Sequence, residues 1–224
     1  MPRKKVEIKG LAVEWLGHSR VGIYGKKIVY IDPFSEVLNE GDEKADLIVS
    51  THAHSDHFDV NAINKLTKNG THVVIKSGCD RTELISESIK KLEVDKSYKI
   101  DDIEVKAVPA YNVRRFRSPG QPFHPEGFGM GVILVIGGVK FYYAGDTDYI
   151  PVMKDFAAEN IEVAFLPIGG KYTMDLNEAV EAVEAIKSKI IVPVHYNHLK
   201  GTEADPISFK EKVEKMTKSE VIIL

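Results

Sequence analysis

The sequence predicts an α/β protein in which β-sheets form the core and α-helices lie outside them. Short apolar runs separated by turn residues fill the first third of the chain, and this pattern is typical of strands. Further along, strands alternate with apolar stripes of helical period. The element order is similar in the two halves, about 1–110 and 128–224. We therefore expect a single domain with a sheet-on-sheet core and a loop at 111–127 joining the halves.

Size and composition agree with one globular domain. The chain has 224 residues, of which 43% are hydrophobic, and a net charge of −3. This charge balance favours neither nucleic acid nor an anionic membrane as a partner. The single cysteine, Cys79, excludes an intrachain disulfide and a thiolate-rich metal site. Because no apolar run has the length of a membrane span or a signal peptide, we expect a cytoplasmic protein.

The first half of the chain is expected to consist mainly of strands. The predicted strands are Ala12–His18, Arg20–Tyr24, Lys27–Asp32, Asp46–Ser50, His72–Lys76, Tyr98–Ile100 and Ile103–Pro109. Asp59 is placed to cap a helix that continues to Lys68. A second helix is predicted near Arg81–Leu92.

Residues Tyr111–Gly127 interrupt this pattern. The segment contains three prolines and three arginines and has little periodicity, so it predicts a long loop. Long loops in compact domains often carry functional residues. We therefore expect this loop to contribute to the site.

Regular alternation resumes after the loop. The predicted strands are Met130–Ile136 and Val139–Ala144, which form a hairpin, then Val163–Ile168, Ile190–Val194 and Val221–Leu224. Asp175 and Glu178 resemble a capping box at the start of one helix. Asp205 followed by Pro206 predicts the start of another helix. The apolar face of that last helix is expected to contain Phe209, Val213 and Met216.

Four potential metal ligands follow the strand Asp46–Ser50 within six residues: His52, His54, Asp56 and His57. Residues two apart in an extended chain point the same way, so His52 and His54 can bind one ion. A turn would then present Asp56 and His57 to a second ion. Imidazole and carboxylate groups suit zinc, manganese or iron. The alternative, a polar turn that is rich in histidine by chance, is disfavoured by this spacing.

The segment His52-x-His54-x-Asp56-His57 resembles the HxHxDH motif of the metallo-β-lactamase superfamily. Gly145-Asp146-Thr147 is similar to the superfamily's bridging aspartate, and Pro193-Val194-His195 is similar to its last histidine ligand. Three further segments resemble the ascorbate-phosphate lactonase-like branch and the metal-dependent hydrolases near it. These are Trp15-Leu16-Gly17-His18, Ile31-Asp32-Pro33 and Gly169-Gly170-x-Tyr172-Thr173-Met174. The resemblance extends from about residue 11 to residue 200.

This resemblance implies a four-layer αββα metallo-β-lactamase sandwich with a binuclear site at one edge. The cofactors would be two divalent metal ions, expected to be zinc, with manganese or iron as alternatives. The implied ligands are His52 and His54 for the first metal, Asp56, His57 and His195 for the second, and Asp146 as the bridge.

One position departs from the superfamily's pattern. Many members place the third histidine of the first metal just after the strand that precedes the long loop, where this chain has Asn112. His124, twelve residues later, is the expected substitute, because imidazole binds zinc-like ions better than an amide does. If His124 were only a loop residue, the first site would be weak or empty.

Other residues are expected to act around the metals. The candidates for substrate binding are His18, Asn112, Arg115 and Tyr172. Arg115 could clamp a phosphate or carboxylate with its guanidinium group, although a solvated basic loop is also compatible with the sequence. His18 could reach the site from its rim or serve only as a structural histidine. Asp32 could orient a metal-bound histidine, or simply begin a turn before a proline.

The implied activity is that of a metal-dependent hydrolase. Metal-activated hydroxide would attack an ester-type bond of a phosphodiester, lactone or thioester, and Asp56 would be the catalytic residue that positions the nucleophile. We expect a small-molecule substrate, with an anionic one compatible with the arginines. A membrane or nucleic-acid partner is not expected, and a homo-oligomer is compatible with the sequence.

Three alternatives remain open. A diiron oxygen-reducing protein of this fold would carry glutamate where this chain has His54. A nuclease-like phosphodiesterase acting on nucleic acid would usually need an inserted domain, for which 224 residues leave little room. A non-catalytic metal-binding module is the third alternative, kept open by the asparagine at the position of a ligand.

Overall fold

The computed structural model describes residues 4–79 and 83–224. The chain forms two compact units, Met1–Glu93 with Leu224, and Val94–Ile223. The sequence predicted that the loop at 111–127 divides the two halves, but the boundary between the units lies earlier, between Glu93 and Val94. Each unit contains a seven-stranded sheet.

The first unit is built on one mixed sheet whose strands pair in chain order. The strands are β1 (Lys5–Ile8), β2 (Leu11–Gly17), β3 (Arg20–Tyr24), β4 (Ile28–Ile31), β5 (Leu47–Ser50), β6 (His72–Lys76) and β7 (Ser88–Leu92). Strands β1 to β4 pair antiparallel, and β4 to β7 pair parallel. All four residues of β5 are buried, as its apolar sequence predicts. The residues that follow β5 consequently emerge at the carboxyl edge of the parallel strands.

Helix α1 (Val60–Leu66) belongs to the first unit and begins where the capping residue predicts. The side chain of Asp59 accepts a hydrogen bond from the backbone N–H of Ala62 at 3.1 Å. The buried face of α1 joins the core beneath the sheet. This apolar cluster contains Leu16, Tyr30, Ala45, Ile48, Phe58, Ile63, Leu66, Val73, Ile75 and Cys79.

The predicted helix near Arg81–Leu92 is wrong in the part that the structure describes. Ser88–Leu92 is the strand β7, which pairs parallel to β6 along its whole length. Residues 80–82 lie outside the described part of the chain. Lysine and leucine favour a helix locally, but pairing with β6 satisfies the backbone of β7 and buries Leu92, so the tertiary contact overrides the local preference.

The second unit contains nine described strands. They are β8 (Ser97–Ile100), β9 (Ile103–Ala110), β10 (Phe116–Ser118), β11 (Gln121–Pro122), β12 (Gly129–Ile136), β13 (Val139–Tyr143), β14 (Val163–Pro167), β15 (Ile190–Val194) and β16 (Glu220–Val221). Strands β10 and β11 form a small ribbon within the predicted loop. The others form one sheet in the order β16-β15-β14-β13-β12-β9-β8. The predicted hairpin of β12 and β13 is confirmed.

Two α-helices of the second unit begin at the predicted capping residues. They are α2 (Leu176–Ile186), capped by Asp175, and α3 (Pro206–Met216), capped by Asp205. The capping box of α2 is only half formed, because the Glu178 side chain accepts from the backbone N–H of Tyr149 at 2.9 Å. The apolar face predicted for α3 is also shorter than expected, since Met216 is 57% exposed.

A 3-10 helix over Pro151–Glu159 was not predicted from the sequence. Within residues 4–79 and 83–224, no helix is both long enough and apolar enough to cross a bilayer.

Candidate metal centre

Asp32 orients two histidines of the first unit. It follows β4 with a φ of 45° and is fully buried. Its Oδ1 accepts from the backbone N–H of Thr51 at 2.8 Å, and its Oδ2 accepts from the Thr51 hydroxyl at 2.7 Å. The same Oδ2 is 2.7 Å from Nδ1 of His57. Since a carboxylate can only accept, both the Thr51 hydroxyl proton and the Nδ1 proton of His57 point to Asp32.

The same hydrogen bonds determine which nitrogen of His52 carries the proton. Thr51 donates its one hydroxyl proton to Asp32, so its oxygen must accept from Nδ1 of His52, which is 3.1 Å away. A proton on Nδ1 leaves the Nε2 lone pair of His52 and of His57 for a metal ion. Metal-binding histidines usually donate their other ring N–H in this way. The geometry fits the orienting role expected of Asp32 and extends it to two rings.

His52 and His54 have the spacing of two ligands of one ion. Nε2 of His52 lies 3.1 Å from Nδ1 of His54. Two nitrogens at about 2.0–2.1 Å from one tetrahedral zinc ion would be about 3.3 Å apart. Their rings meet edge to face, with centroids 4.8 Å apart. The distance between the two donor atoms therefore fits a zinc-like ion.

Asp56 lies between two histidines of the first unit. Its Oδ2 is 2.9 Å from Nε2 of His18 and 3.6 Å from Nε2 of His57. The ligand atoms of the three residues lie within 4.8 Å of one another. His18 is 1% exposed and therefore does not lie at the rim of the site. Of the two alternatives drawn from the sequence, its burial favours the structural histidine. Its role as a substrate contact is revised, because its Nε2 engages Asp56.

A second set of candidate ligands lies within the second unit. Asp146 follows the β13 strand, and its two carboxylate oxygens face different histidines. Oδ2 is 3.2 Å from Nε2 of His124, and Oδ1 is 3.3 Å from Nε2 of His195. All three side chains are buried. A carboxylate that presents one oxygen to each imidazole suits the bridging role that the superfamily resemblance implies.

Gly169 has no side chain, which leaves space for the backbone carbonyl of His195. His195 follows β15 with a φ of 56°. A Cβ on Gly169 would lie 2.4 Å from the carbonyl oxygen of His195, closer than any side chain can pack. The glycine in this motif therefore has a steric reason.

Asn112 contacts His124 and is 5% exposed. Its Oδ1 is 2.9 Å from the backbone nitrogen of His124 and 2.8 Å from its Nδ1. Its Nδ2 donates to Asp148 and to the carbonyl of Tyr172, each at 3.0 Å. The expectation that Asn112 binds substrate is revised, because its amide oxygen and nitrogen are engaged within its own unit.

Arg115 is held by carboxylates of the same unit. Its guanidinium pairs with Asp148 at 3.2 Å, with Asp175 at 2.9 Å and with Glu178. The Arg115 side chain is 10% exposed. Burial raises the pKa of Glu178 above its ordinary value, against the opposing charge of Arg115. The expected anion clamp at Arg115 is revised, since its positive charge is already balanced by structural partners.

Tyr172 is half-buried beside the loop. Its ring meets that of Phe123 edge to face, with centroids 4.9 Å apart, and the ammonium of Lys171 is 4.8 Å from the ring centroid. Substrate contact by Tyr172 remains a prediction.

Thr51 and Asp148 were missed by the sequence analysis. Thr51 directly precedes the first ligand, and a hydroxyl in that position could have been recognised as a hydrogen-bond partner. Asp148 follows the predicted bridging aspartate by two residues, which is a weak signal. Its partners are 33 to 36 residues away along the chain, so the sequence does not reveal them.

Comparisons with known proteins agree in family and in fold. A family model described as a β-lactamase superfamily domain matches residues 12–195. A UPF0173 metal-dependent hydrolase of Pyrococcus furiosus is 37% identical over 225 residues, covering 95% of each chain. Among solved structures, a Parabacteroides distasonis protein designated a metal-dependent hydrolase has a TM-score of 0.84 at 30% identity, covering 99% of this chain and 97% of that one. Igni18, a metallo hydrolase from Ignicoccus hospitalis, has a TM-score of 0.78 at 27% identity, covering 96% and 94%.

Proposed function

Because the chain belongs to the metallo-β-lactamase superfamily, we propose that it is a hydrolase whose activity depends on divalent metal bound by the two ligand sets. The observation that carries the proposal is the chain of hydrogen bonds around Asp32. It leaves Nε2 of His52 and His57 as acceptors, and imidazole nitrogens held in this way are the usual ligands of zinc-like ions.

Neither ligand set is sufficient for a catalytic metal pair by itself. A catalytic zinc ion commonly has three protein ligands and an open position, whereas His52 and His54 supply two. We assign His124 as the third ligand of this ion, in line with the order of the superfamily's motifs. By the same order of motifs, Asp56, His57 and His195 would hold the second ion, and Asp146 would be the shared ligand that the resemblance implies.

Bound metal ions would lower the pKa of a water molecule and stabilise the negative charge that develops on the attacked bond. Asp56 is suited to orient this water and to accept its proton. Its carboxylate is 23% exposed, unlike the buried histidines, and His18 holds its Oδ2 at 2.9 Å. His18 therefore positions the carboxylate of Asp56.

The expected substrate is a small molecule with an ester-type bond, in a phosphodiester, lactone or thioester. Zinc is the expected metal, with manganese and iron as alternatives. We no longer expect Arg115 to bind an anionic group on the substrate. A more exposed side chain of the loop, such as Arg114 at 55% exposure, would bind such a group instead.

Metal analysis combined with an activity screen tests this function. The purified protein should contain about two divalent ions per chain and hydrolyse at least one of the three ester classes. Chelation should remove the activity, and added metal should restore it. The double variant His52→Ala/His54→Ala should lose bound metal and activity, whereas His198→Ala, at an exposed histidine, should keep both. An unchanged metal content in the double variant would contradict the proposal.

A further inference from the structure

Asp148 holds the start of the loop at 111–127 through five donors. Its Oδ2 accepts from the backbone N–H of Val113 at 2.7 Å, Arg114 at 2.5 Å and Arg115 at 3.2 Å. Its Oδ1 accepts from Nδ2 of Asn112 at 3.0 Å and from Nη1 of Arg115 at 3.2 Å. The carboxylate is fully buried. Asp148 therefore holds the side chain of Asn112 in position.

The neighbours of Asn112 leave its amide one orientation. Its Nδ2 lies against the Asp148 carboxylate and the carbonyl of Tyr172, and both groups can only accept. If the amide were turned over, its oxygen would face two acceptors and its NH₂ would face the backbone N–H of His124. The oxygen of Asn112 must therefore point to His124.

This orientation requires a proton on Nδ1 of His124. Nδ1 of His124 lies 2.8 Å from the amide oxygen of Asn112, which can only accept, so Nδ1 must carry a proton. The backbone N–H of His124 donates to the same oxygen at 2.9 Å, and the backbone N–H of Asn112 donates to the carbonyl of His124 at 2.8 Å. Two hydrogen bonds thus hold the backbone of His124 beside Asn112, and a third holds its ring with Nε2 directed to Asp146 at 3.2 Å.

We propose that Asp148 and Asn112 form a positioning relay that fixes His124 with its proton on Nδ1, so that Nε2 is presented as a metal ligand. The metal-binding part rests on the proposed function, whereas the proton on Nδ1 is expected in the metal-free protein as well. Asn112 occupies the position where many superfamily members carry a histidine ligand. The relay explains how an amide at residue 112 is compatible with metal binding. The amide of Asn112 positions the ligand His124 and does not bind the ion itself.

Imidazole NMR on ¹⁵N-labelled protein tests the relay directly. In the wild type, His124 should show a proton on Nδ1 that exchanges slowly with water, with or without zinc. The variant Asn112→Ala should lose this protection, because no acceptor remains at Nδ1. A wild-type His124 with its proton on Nε2 and none on Nδ1 would overturn the relay, and that measurement does not depend on whether any variant folds.

Zinc titration measures the consequence for metal binding. Both Asn112→Ala and Asp148→Asn should weaken the first zinc site by about 10- to 100-fold, as loss of a partner behind a metal-bound histidine usually does. Asn177→Ala, at an exposed asparagine that accepts from Lys212, is the matched control and should bind zinc as the wild type does. Wild-type zinc affinity in either relay variant would overturn the relay. A wild type that binds no zinc would refute the proposed function, while the NMR result would still decide the relay.

Discussion

Asp32 orients two of the four candidate ligands in the first unit, His52 and His57. Its buried carboxylate accepts one hydrogen bond from the Thr51 hydroxyl and another from His57, and through Thr51 it also places a proton on Nδ1 of His52. Replacing one oxygen of this group by NH₂ would place a donor opposite at least one donor in either orientation of the amide. Such a change should therefore disturb the orientation of the His52 and His57 rings, although neither histidine is replaced.

We expect Asp32→Asn to weaken metal binding by about 10- to 100-fold. It should also lower the free energy of unfolding by about 1–3 kcal/mol, because buried donors lose their acceptor. Asparagine tolerates the φ of 45° at this position, so the backbone is not the cause. Asp95→Asn, at an exposed aspartate with a φ of 64°, is the control for backbone effects. Metal titration and urea unfolding measure the two quantities, and unchanged metal affinity would contradict the orienting role.

At the scale of elements, the loop at 111–127 is attached to the second unit through two adjacent arginines that differ in burial. Arg115 is 10% exposed and contacts Asp148, Asp175 and Glu178. Arg114 is 55% exposed and reaches Glu178 only at 3.7 Å. The first arginine therefore anchors the loop, and the second lies on its surface.

We expect Arg115→Ala to lower the free energy of unfolding by about 3–5 kcal/mol, because it removes the nearest counter-charge from the buried carboxylates of Asp148 and Glu178. Arg114→Ala should change it by less than about 1 kcal/mol, as is typical of exposed ion pairs. Chemical denaturation of both variants provides the comparison. A stable Arg115→Ala variant with a selective loss for anionic substrates would instead restore the anion clamp that the sequence suggested.

At the scale of the whole molecule, metal binding should contribute to stability, since the ligand geometry exists only in the folded chain. Zinc at 100 times its dissociation constant should stabilise the fold by about 2.7 kcal/mol. For a chain of this length, that corresponds to a rise in Tm of roughly 5 to 11 °C. Calorimetry before and after chelation measures the change. An identical Tm in a zinc-loaded and a zinc-free sample would show that the ligands are not linked to folding.

Local pattern was sufficient for most strands and for the starts of the helices. Strands such as β5 and β15 are apolar runs between turn residues, and Asp59, Asp175 and Asp205 cap the helices that follow them. Strand β7 was missed because its sequence is compatible with a helix. Only the neighbouring strand β6, whose backbone groups it pairs with, decides between the two.

Four of the candidate ligands, His52, His54, Asp56 and His57, could be identified from the sequence because they lie within six residues of one another. The residues that form hydrogen bonds with these ligands could be identified only from the folded chain. Asp32 meets His57 across 25 residues, and Arg115 meets Glu178 across 63. Asn112 and Arg115 looked like substrate contacts because an isolated amide or guanidinium has no visible partner. Hydrogen-bond partners of buried polar groups are selected by the fold, and sequence proximity does not identify them.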